Sequence, residues 1–246
     1  MKSIFKVHPL TYGILFTVLA SGYFNYFLII AFILTIHDLG HIICLKLFNY
    51  QISKISVLPF GSIIDTNINP SAKTSEVFLI SVAGILMQLI LYPVMSALNS
   101  AGIINHISYH IFLNYNKIIL LFNLLPIIPL DGSKIMMSLF ESFFSYKMAL
   151  KLVNISSLGG IVFFLCYMAY EGLNSYLIVA FLCYKTWEVI KNHAYFFNSF
   201  LVSRLSKKTH YSRIKYVFSI KSIHKNKYNF INNENEDKVL SNYFRL

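Results

Sequence analysis

The chain has 246 residues, of which 56% are hydrophobic and 13% are charged. Together with a mean hydropathy of +0.59, this composition excludes an ordinary soluble domain and predicts an all-α polytopic membrane protein. The formal net charge of +11 does not indicate nucleic-acid binding, because the basic residues lie at the positions that the positive-inside rule predicts for a membrane protein.

The apolar segments predict a bundle of six transmembrane helices, since each approaches the roughly 20 residues that a helix needs to cross a bilayer. The segments lie near 9–22, 24–47, 77–98, 106–126, 152–170 and 173–192. Residues 1–22 also fit a cleavable signal peptide, because Lys2 and Lys6 precede their apolar stretch. The next span follows almost at once, as in a helical hairpin, which favours a retained first helix.

Lysine and arginine are distributed unevenly between the predicted loops. The loops around Gly22, Ala101 and Gly172 contain neither, whereas the alternate loops and the tail contain many. The positive-inside rule therefore predicts that both termini are cytosolic. We divide the chain into a membrane core, 1–200, and a short basic cytosolic tail, 201–246, which is shorter than domains that normally fold unaided. The tail either contacts anionic lipid headgroups or an acidic partner, or serves only to fix topology.

A short β-hairpin is predicted between the second and third spans. Residues 51–65 alternate partly between apolar and polar side chains, and the segment Pro59-Phe60-Gly61 interrupts them. Irregular backbone of this kind is tolerated at membrane depth only against protein or a water-filled cavity. We therefore expect a re-entrant or membrane-associated hairpin.

The fourth span ends at two prolines, Pro126 and Pro129, which break the helix shortly before Asp131. Asp131 therefore falls in an irregular segment, from which its carboxylate can point back into the bundle. Asn123, just before the break, either orients the substrate backbone or Asp131, or caps the broken helix end.

Two imidazoles lie within the second span, in the segment His37-Asp38-Leu39-Gly40-His41. Residues four apart share one face of a helix, so both histidines can direct a ring nitrogen to one metal ion. Ionisable groups in an apolar span are expensive, and they indicate function. A histidine pair alone is also compatible with hydrogen bonding between helices.

A catalytic zinc site usually has three protein ligands and one open position, so a third ligand is needed. We choose Asp131, which lies at a break in a span on the inner side of the membrane. Asp65 and Glu76 fit less well, and the histidines that start span four lie on the opposite side. The sequence thus predicts a zinc ion bound by His37, His41 and Asp131.

These motifs resemble those of the site-2 protease family of intramembrane zinc metalloproteases. The segment from His37 to His41 is similar to that family's H-E-x-G-H, and the segment from Asn123 to Gly132 is similar to its N-L-L-P-x-x-P-L-D-G. Further likenesses to the sporulation branch of the family are the Leu-Pro-Phe-Gly turn at 58–61, Ala83-Gly84 and His8-Pro9.

The resemblance implies that Asp38 is the general base of peptide hydrolysis. It also implies that the hairpin, including Phe60 and Gly61, binds an unwound substrate segment as an added strand. In the sporulation branch the substrate is a membrane-associated precursor of the mother-cell sigma factor K, and membrane proteins hold the protease inactive. The implied location is the mother-cell membrane around the forespore, with no direct contact to nucleic acid.

Three residues depart from the family pattern. Asp38 replaces glutamate, Ile85 replaces proline, and Ser133 stands where a second glycine is common. The tail is also too short for a complete C-terminal CBS domain. Because aspartate is shorter than glutamate, a catalytically impaired, metal-binding membrane scaffold remains the alternative. A metal or proton transporter is disfavoured, since the chain lacks an inverted repeat.

Overall fold

Helices dominate the structure, as the apolar segments predict. A computed structural model describes residues 5–7, 9–58, 61–168, 174–206, 211 and 213–244. The helices are α1 (Pro9–Ser21), α2 (Phe24–Leu47), α3 (Thr74–Ser100), α4 (His106–Leu124), α5 (Asp131–Phe143), α6 (Tyr146–Met168), α7 (Asn174–Lys191), α8 (His193–Ser206) and α9 (Glu236–Phe244). The strands are β1 (Phe5–Val7), β2 (Ile52–Leu58), β3 (Gly61–Thr66), β4 (Ile214–Val217), β5 (Tyr228–Ile231) and β6 (Glu234–Asn235).

Three of the described helices are long and apolar enough to cross a membrane, namely α2, α3 and the part of α6 up to Cys166. The other three predicted spans coincide with α1, α4 and α7. The mostly helical architecture is therefore confirmed, whereas a bundle of six membrane-spanning helices stays a prediction.

The chain divides into two compact units, which are described separately. The first unit comprises Met1–Ile68 and Leu79–Asn123. Its apolar core is formed by Ile33 of α2, Leu91 of α3 and Phe112 of α4, all buried.

The predicted hairpin is present in this first unit. β2 and β3 pair antiparallel, with Leu58 opposite Gly61. The φ angle of Gly61 is +139°, a conformation that side chains with a Cβ rarely adopt. Phe60 lies outside the described residues, and so does His8. β1 adds a parallel third strand beside β2, and three residues are too few for a periodic pattern to reveal such a strand.

The second unit comprises Asn69–Phe78 and Leu124–Leu246. It contains α5, which starts directly after the predicted break. The buried residues of α5 are polar ones and a glycine, whereas Leu139 and Phe143 are 43% and 75% exposed. This arrangement is the reverse of that in a water-soluble helix, and it fits apolar surroundings.

The tail forms a small folded module, although its length alone predicts none. β4 pairs parallel with β5, and β5 pairs antiparallel with β6. Buried residues of the module pack with residues from α6 and α8, so its core is shared with these helices. The shared core consists of Tyr146, Phe197, Phe200, Leu201, Val217, Ile223, Ile231 and Leu240.

Two buried ion pairs stabilise this arrangement further. Arg204 of α8 pairs with Glu236, and it also donates to the backbone carbonyls of Lys225 and Lys227. The Lys225 ammonium pairs with the Glu141 carboxylate of α5 at 2.9 Å. Each of these buried charges has an opposite charge as its partner, which avoids the large cost of a buried unpaired charge.

Candidate metal centre

His37 and His41 lie one turn apart on α2, and their side chains converge. Their Nε2 atoms are 3.0 Å apart, and both residues are buried, at 5% and 8% exposure. The prediction that the two imidazoles share one face of a helix is therefore confirmed.

The opposite ring nitrogen of each histidine is held by α3. His41 Nδ1 lies 2.7 Å from the carbonyl oxygen of Ile80. A carbonyl oxygen only accepts hydrogen bonds, so the proton of a neutral His41 lies on Nδ1, and Nε2 presents its lone pair. This tautomer is the one that ligates a metal through Nε2.

The same reasoning fixes His37 through a chain of side-chain amides. Asn116 Nδ2 donates to the backbone carbonyl of Gln88 at 3.2 Å, which turns Asn116 Oδ1 toward the Gln88 side chain. Gln88 Nε2 donates to that oxygen at 3.4 Å. Gln88 Oε1 then accepts from His37 Nδ1 at 3.1 Å, so His37 also presents its Nε2 lone pair.

Glycine keeps the two helices close enough for these contacts. A Cβ atom at Gly84 of α3 would lie 2.5 Å from His41 Nε2 and 2.7 Å from His37 Cε1. A Cβ atom at Gly40 of α2 would lie 2.5 Å from the Ala83 carbonyl oxygen. Both positions therefore exclude any larger residue without displacement of neighbouring atoms.

The donor set fits a zinc ion. Two unprotonated nitrogens that face each other at 3.0 Å repel unless a cation or proton lies between them. Two nitrogen ligands of a tetrahedral zinc ion, each about 2.0–2.1 Å from it, lie roughly 3.3 Å apart. The anchored tautomers, which leave both Nε2 atoms to ligate, are what such an ion requires.

Asp131 lies in the second unit, at the first residue of α5. It is 6% exposed, and its carboxylate pairs with Lys134 Nζ at 2.9 Å. A Cβ atom at Gly132 would lie 2.3 Å from the carbonyl oxygens of Leu124 and Leu125, so the start of α5 packs tightly against the broken end of the preceding segment.

The other predicted site residues, Asp38 and Asn123, are only half-buried. Asp38 is half-buried on α2, one residue after His37. Asn123 is half-buried near the end of α4, and among the described residues no side-chain hydrogen bond supports its capping role. Asn116, which sequence reasoning missed, is fully buried. The signal that could have found it is a polar residue within an apolar span.

Comparisons with known proteins agree with these observations. The model of "Peptidase family M50" matches residues 91–167. The chain is 28% identical over 201 residues to "Stage IV sporulation protein FB" of Bacillus subtilis (strain 168), covering 80% of this chain and 70% of that protein.

A solved structure shares the fold. The match to "Site-2 Protease from Methanocaldococcus jannaschii" has a TM-score of 0.57 at 19% identity, and it covers 75% of this chain and 89% of that chain. The family match, the sporulation relative and the shared fold all support a metalloendopeptidase of the site-2 protease type.

Proposed function

We propose that the protein is a zinc endopeptidase that cleaves a membrane-associated precursor within or beside the bilayer. The observation that carries the proposal is the histidine pair of α2, whose Nε2 atoms lie 3.0 Å apart while both Nδ1 atoms are anchored by α3. A pair that only joined helices would have no need to direct two unprotonated nitrogens to one point.

Asp131 is the third ligand in this proposal. It is buried, as are both histidines, and each of the three residues offers one ligand atom. Two imidazoles and one carboxylate make three protein ligands, which leaves the open position of a catalytic zinc site. Lys134 beside Asp131 holds one carboxylate oxygen in place.

Asp38 is proposed as the general base. When bound, zinc supplies Lewis acidity that lowers the pKa of a water molecule and polarises the scissile carbonyl. Asp38 lies about 100° around the helix axis from His37, and it is half-buried. From there its carboxylate takes a proton from the attacking water and returns it to the leaving amine.

The hairpin is proposed to bind the substrate. β3 is an outer strand of the sheet β1-β2-β3, so it offers an edge on which an unwound segment can add as a further strand. Gly61 starts this strand, and Phe60 precedes it. We also assign Asn123 to the orientation of the substrate backbone.

The proposed substrate is a precursor like that of sigma factor K, and the support is the likeness to a sporulation protein. The same likeness supports regulation by membrane proteins. It also supports a location in the mother-cell membrane around the forespore. The distribution of lysine and arginine supports cytosolic termini.

Co-expression with such a precursor tests the proposal. We expect cleavage by the natural chain and no cleavage by His37→Ala or Asp131→Ala, read by gel and mass spectrometry. His110→Ala is a matched control, since His106 and His110 also lie one turn apart, but on an exposed face of α4. Elemental analysis of the purified natural chain should find one zinc ion per molecule.

Two results would contradict the proposal. A purified chain without a transition metal after reconstitution would refute the zinc site. Bound zinc without cleavage by the natural chain, but with cleavage by Asp38→Glu, would instead indicate a metal-binding scaffold with an impaired base. Asp38 is shorter than glutamate by about 1.5 Å, and this is the observation that favours the second candidate.

A further inference from the structure

A cavity of about 260 Å³ opens where the tail module meets the start of α6. It is lined by Ser145, Lys147, Met148, Lys151, His193 and Lys221. These residues come from α6 and the residue before it, from the start of α8, and from the tail. All belong to the second unit.

The cavity concentrates positive charge without a carboxylate to neutralise it. In the described part of the chain Lys147, Lys151 and Lys221 form no ion pair, whereas Lys134, Lys185 and Lys225 each pair with an acidic side chain. Three unpaired ammonium groups around one space attract an anion.

The positive charge of the cavity also affects the imidazole of His193. Burial lowers the pKa of its imidazole, and the positive charge of Lys147 lowers it further. The Lys147 ammonium itself lies 5.5 Å from the centre of the Phe197 ring, a contact that positions it without removing its charge.

The cavity also lies at the end of a candidate membrane span. α6 is apolar enough to cross a bilayer from Tyr146 to Cys166. The tail module packs on the first residue of this span, because the Tyr146 ring stacks on Phe200 at 3.9 Å and its amide donates to the Ile223 carbonyl. The ends of a helix that spans a bilayer lie at the level of the lipid headgroups.

Exposed apolar side chains beside the cavity support a lipid rather than a soluble ion. Met148 lines it and is 42% exposed, and Phe143 and Phe144 directly precede its first lining residue and are exposed. Glycerol and acyl chains suit such a surface. Basic cavities near membrane helices bind anionic headgroups in other proteins.

We propose that this cavity binds the phosphate group of an anionic phospholipid, held by Lys147, Lys151 and Lys221. The site secures the tail module to the membrane surface at the start of α6. It is separate from the metal centre and does not depend on the proposed peptidase activity.

The test compares lipids retained by the full chain in nanodiscs of mixed phosphatidylglycerol and phosphatidylcholine. Lys147→Gln/Lys221→Gln removes two cavity charges, and Lys215→Gln/Lys227→Gln removes two tail charges outside the cavity lining. At roughly three- to fivefold per lysine, we expect phosphatidylglycerol binding to weaken by about 10- to 30-fold in the cavity variant, which lacks two of them. The control should retain its affinity, and Lys147→Arg/Lys221→Arg should restore binding.

Other outcomes overturn the proposal. An equal loss in both Gln variants would mean diffuse attraction by the basic tail rather than a site. If the natural chain did not prefer phosphatidylglycerol over phosphatidylcholine, the assignment of an anionic phospholipid as the ligand would be refuted. Inorganic phosphate is the second arm: if it stabilises the delipidated chain against heat while phosphatidylglycerol does not, the source is a soluble phosphate. Circular dichroism and the Arg variant distinguish loss of binding from loss of fold.

Discussion

Replacing Gly84 by alanine tests whether α3 shapes the metal centre. The new Cβ atom would lie 2.5 Å from His41 Nε2, where ordinary contact begins at 3.4 Å, so the imidazole or the helix must move by roughly 0.9 Å. A misplacement of about 1 Å at a catalytic centre costs on the order of 100-fold in rate. We therefore expect cleavage of the precursor to fall by about that factor, together with weaker zinc binding.

The fold should survive this substitution, because alanine is favoured over glycine in a helix by about 1 kcal/mol. Gly159→Ala is the matched control, since Gly159 lies in α6 and a Cβ atom there meets nothing within 4 Å. Cleavage in the co-expression assay and zinc content of the purified protein are the measurements. Undiminished cleavage and zinc content in Gly84→Ala would refute the reasoning.

Three further predictions concern the supports of the site and of the tail. Gln88→Leu removes the acceptor for His37 Nδ1–H, and we expect 10- to 100-fold weaker zinc binding in a chelator competition; an unchanged affinity would contradict the tautomer assignment. Asp38→Asn should keep zinc yet lower cleavage by about 10²- to 10⁴-fold, and a smaller loss would exclude a general base at this position. Glu236→Ala leaves a buried arginine unpaired and should destabilise the tail module by about 3–5 kcal/mol, whereas Lys238→Ala removes an exposed pair worth at most about 1 kcal/mol; denaturant unfolding distinguishes these values.

The histidine pair could be predicted because a helical repeat places His37 and His41 on one face, and because the apolar run identifies the helix. The hairpin followed from alternation and a Pro-Phe-Gly break. Each of these inferences rests on neighbours in sequence, for which spacing determines geometry.

The supports of the site could not be predicted in the same way. The contacts of Gln88 with Asn116, and of His41 with the Ile80 carbonyl, join residues 28 and 39 positions apart. No local period encodes such pairs. The sequence shows Gln88 only as a polar residue in an apolar span, which does not reveal its contact with His37.

The tail module was missed for a related reason. Its strands have at most four residues, too few for hydropathy or alternation to reveal them. Its core is completed by aromatic residues of α6 and α8, which sequence patterns assign to the membrane part. When two segments that are far apart in the sequence form one buried core together, the sequence of neither segment reveals that core by itself.

The stacking of Tyr146 on Phe200 has a practical consequence for shortened versions of the protein. Ending the chain at residue 200 would remove Lys225, the cationic partner of the buried Glu141 carboxylate. It would also expose the ring of Tyr146, which is now 7% exposed. Such a truncation would give an aggregating membrane fragment rather than a minimal peptidase.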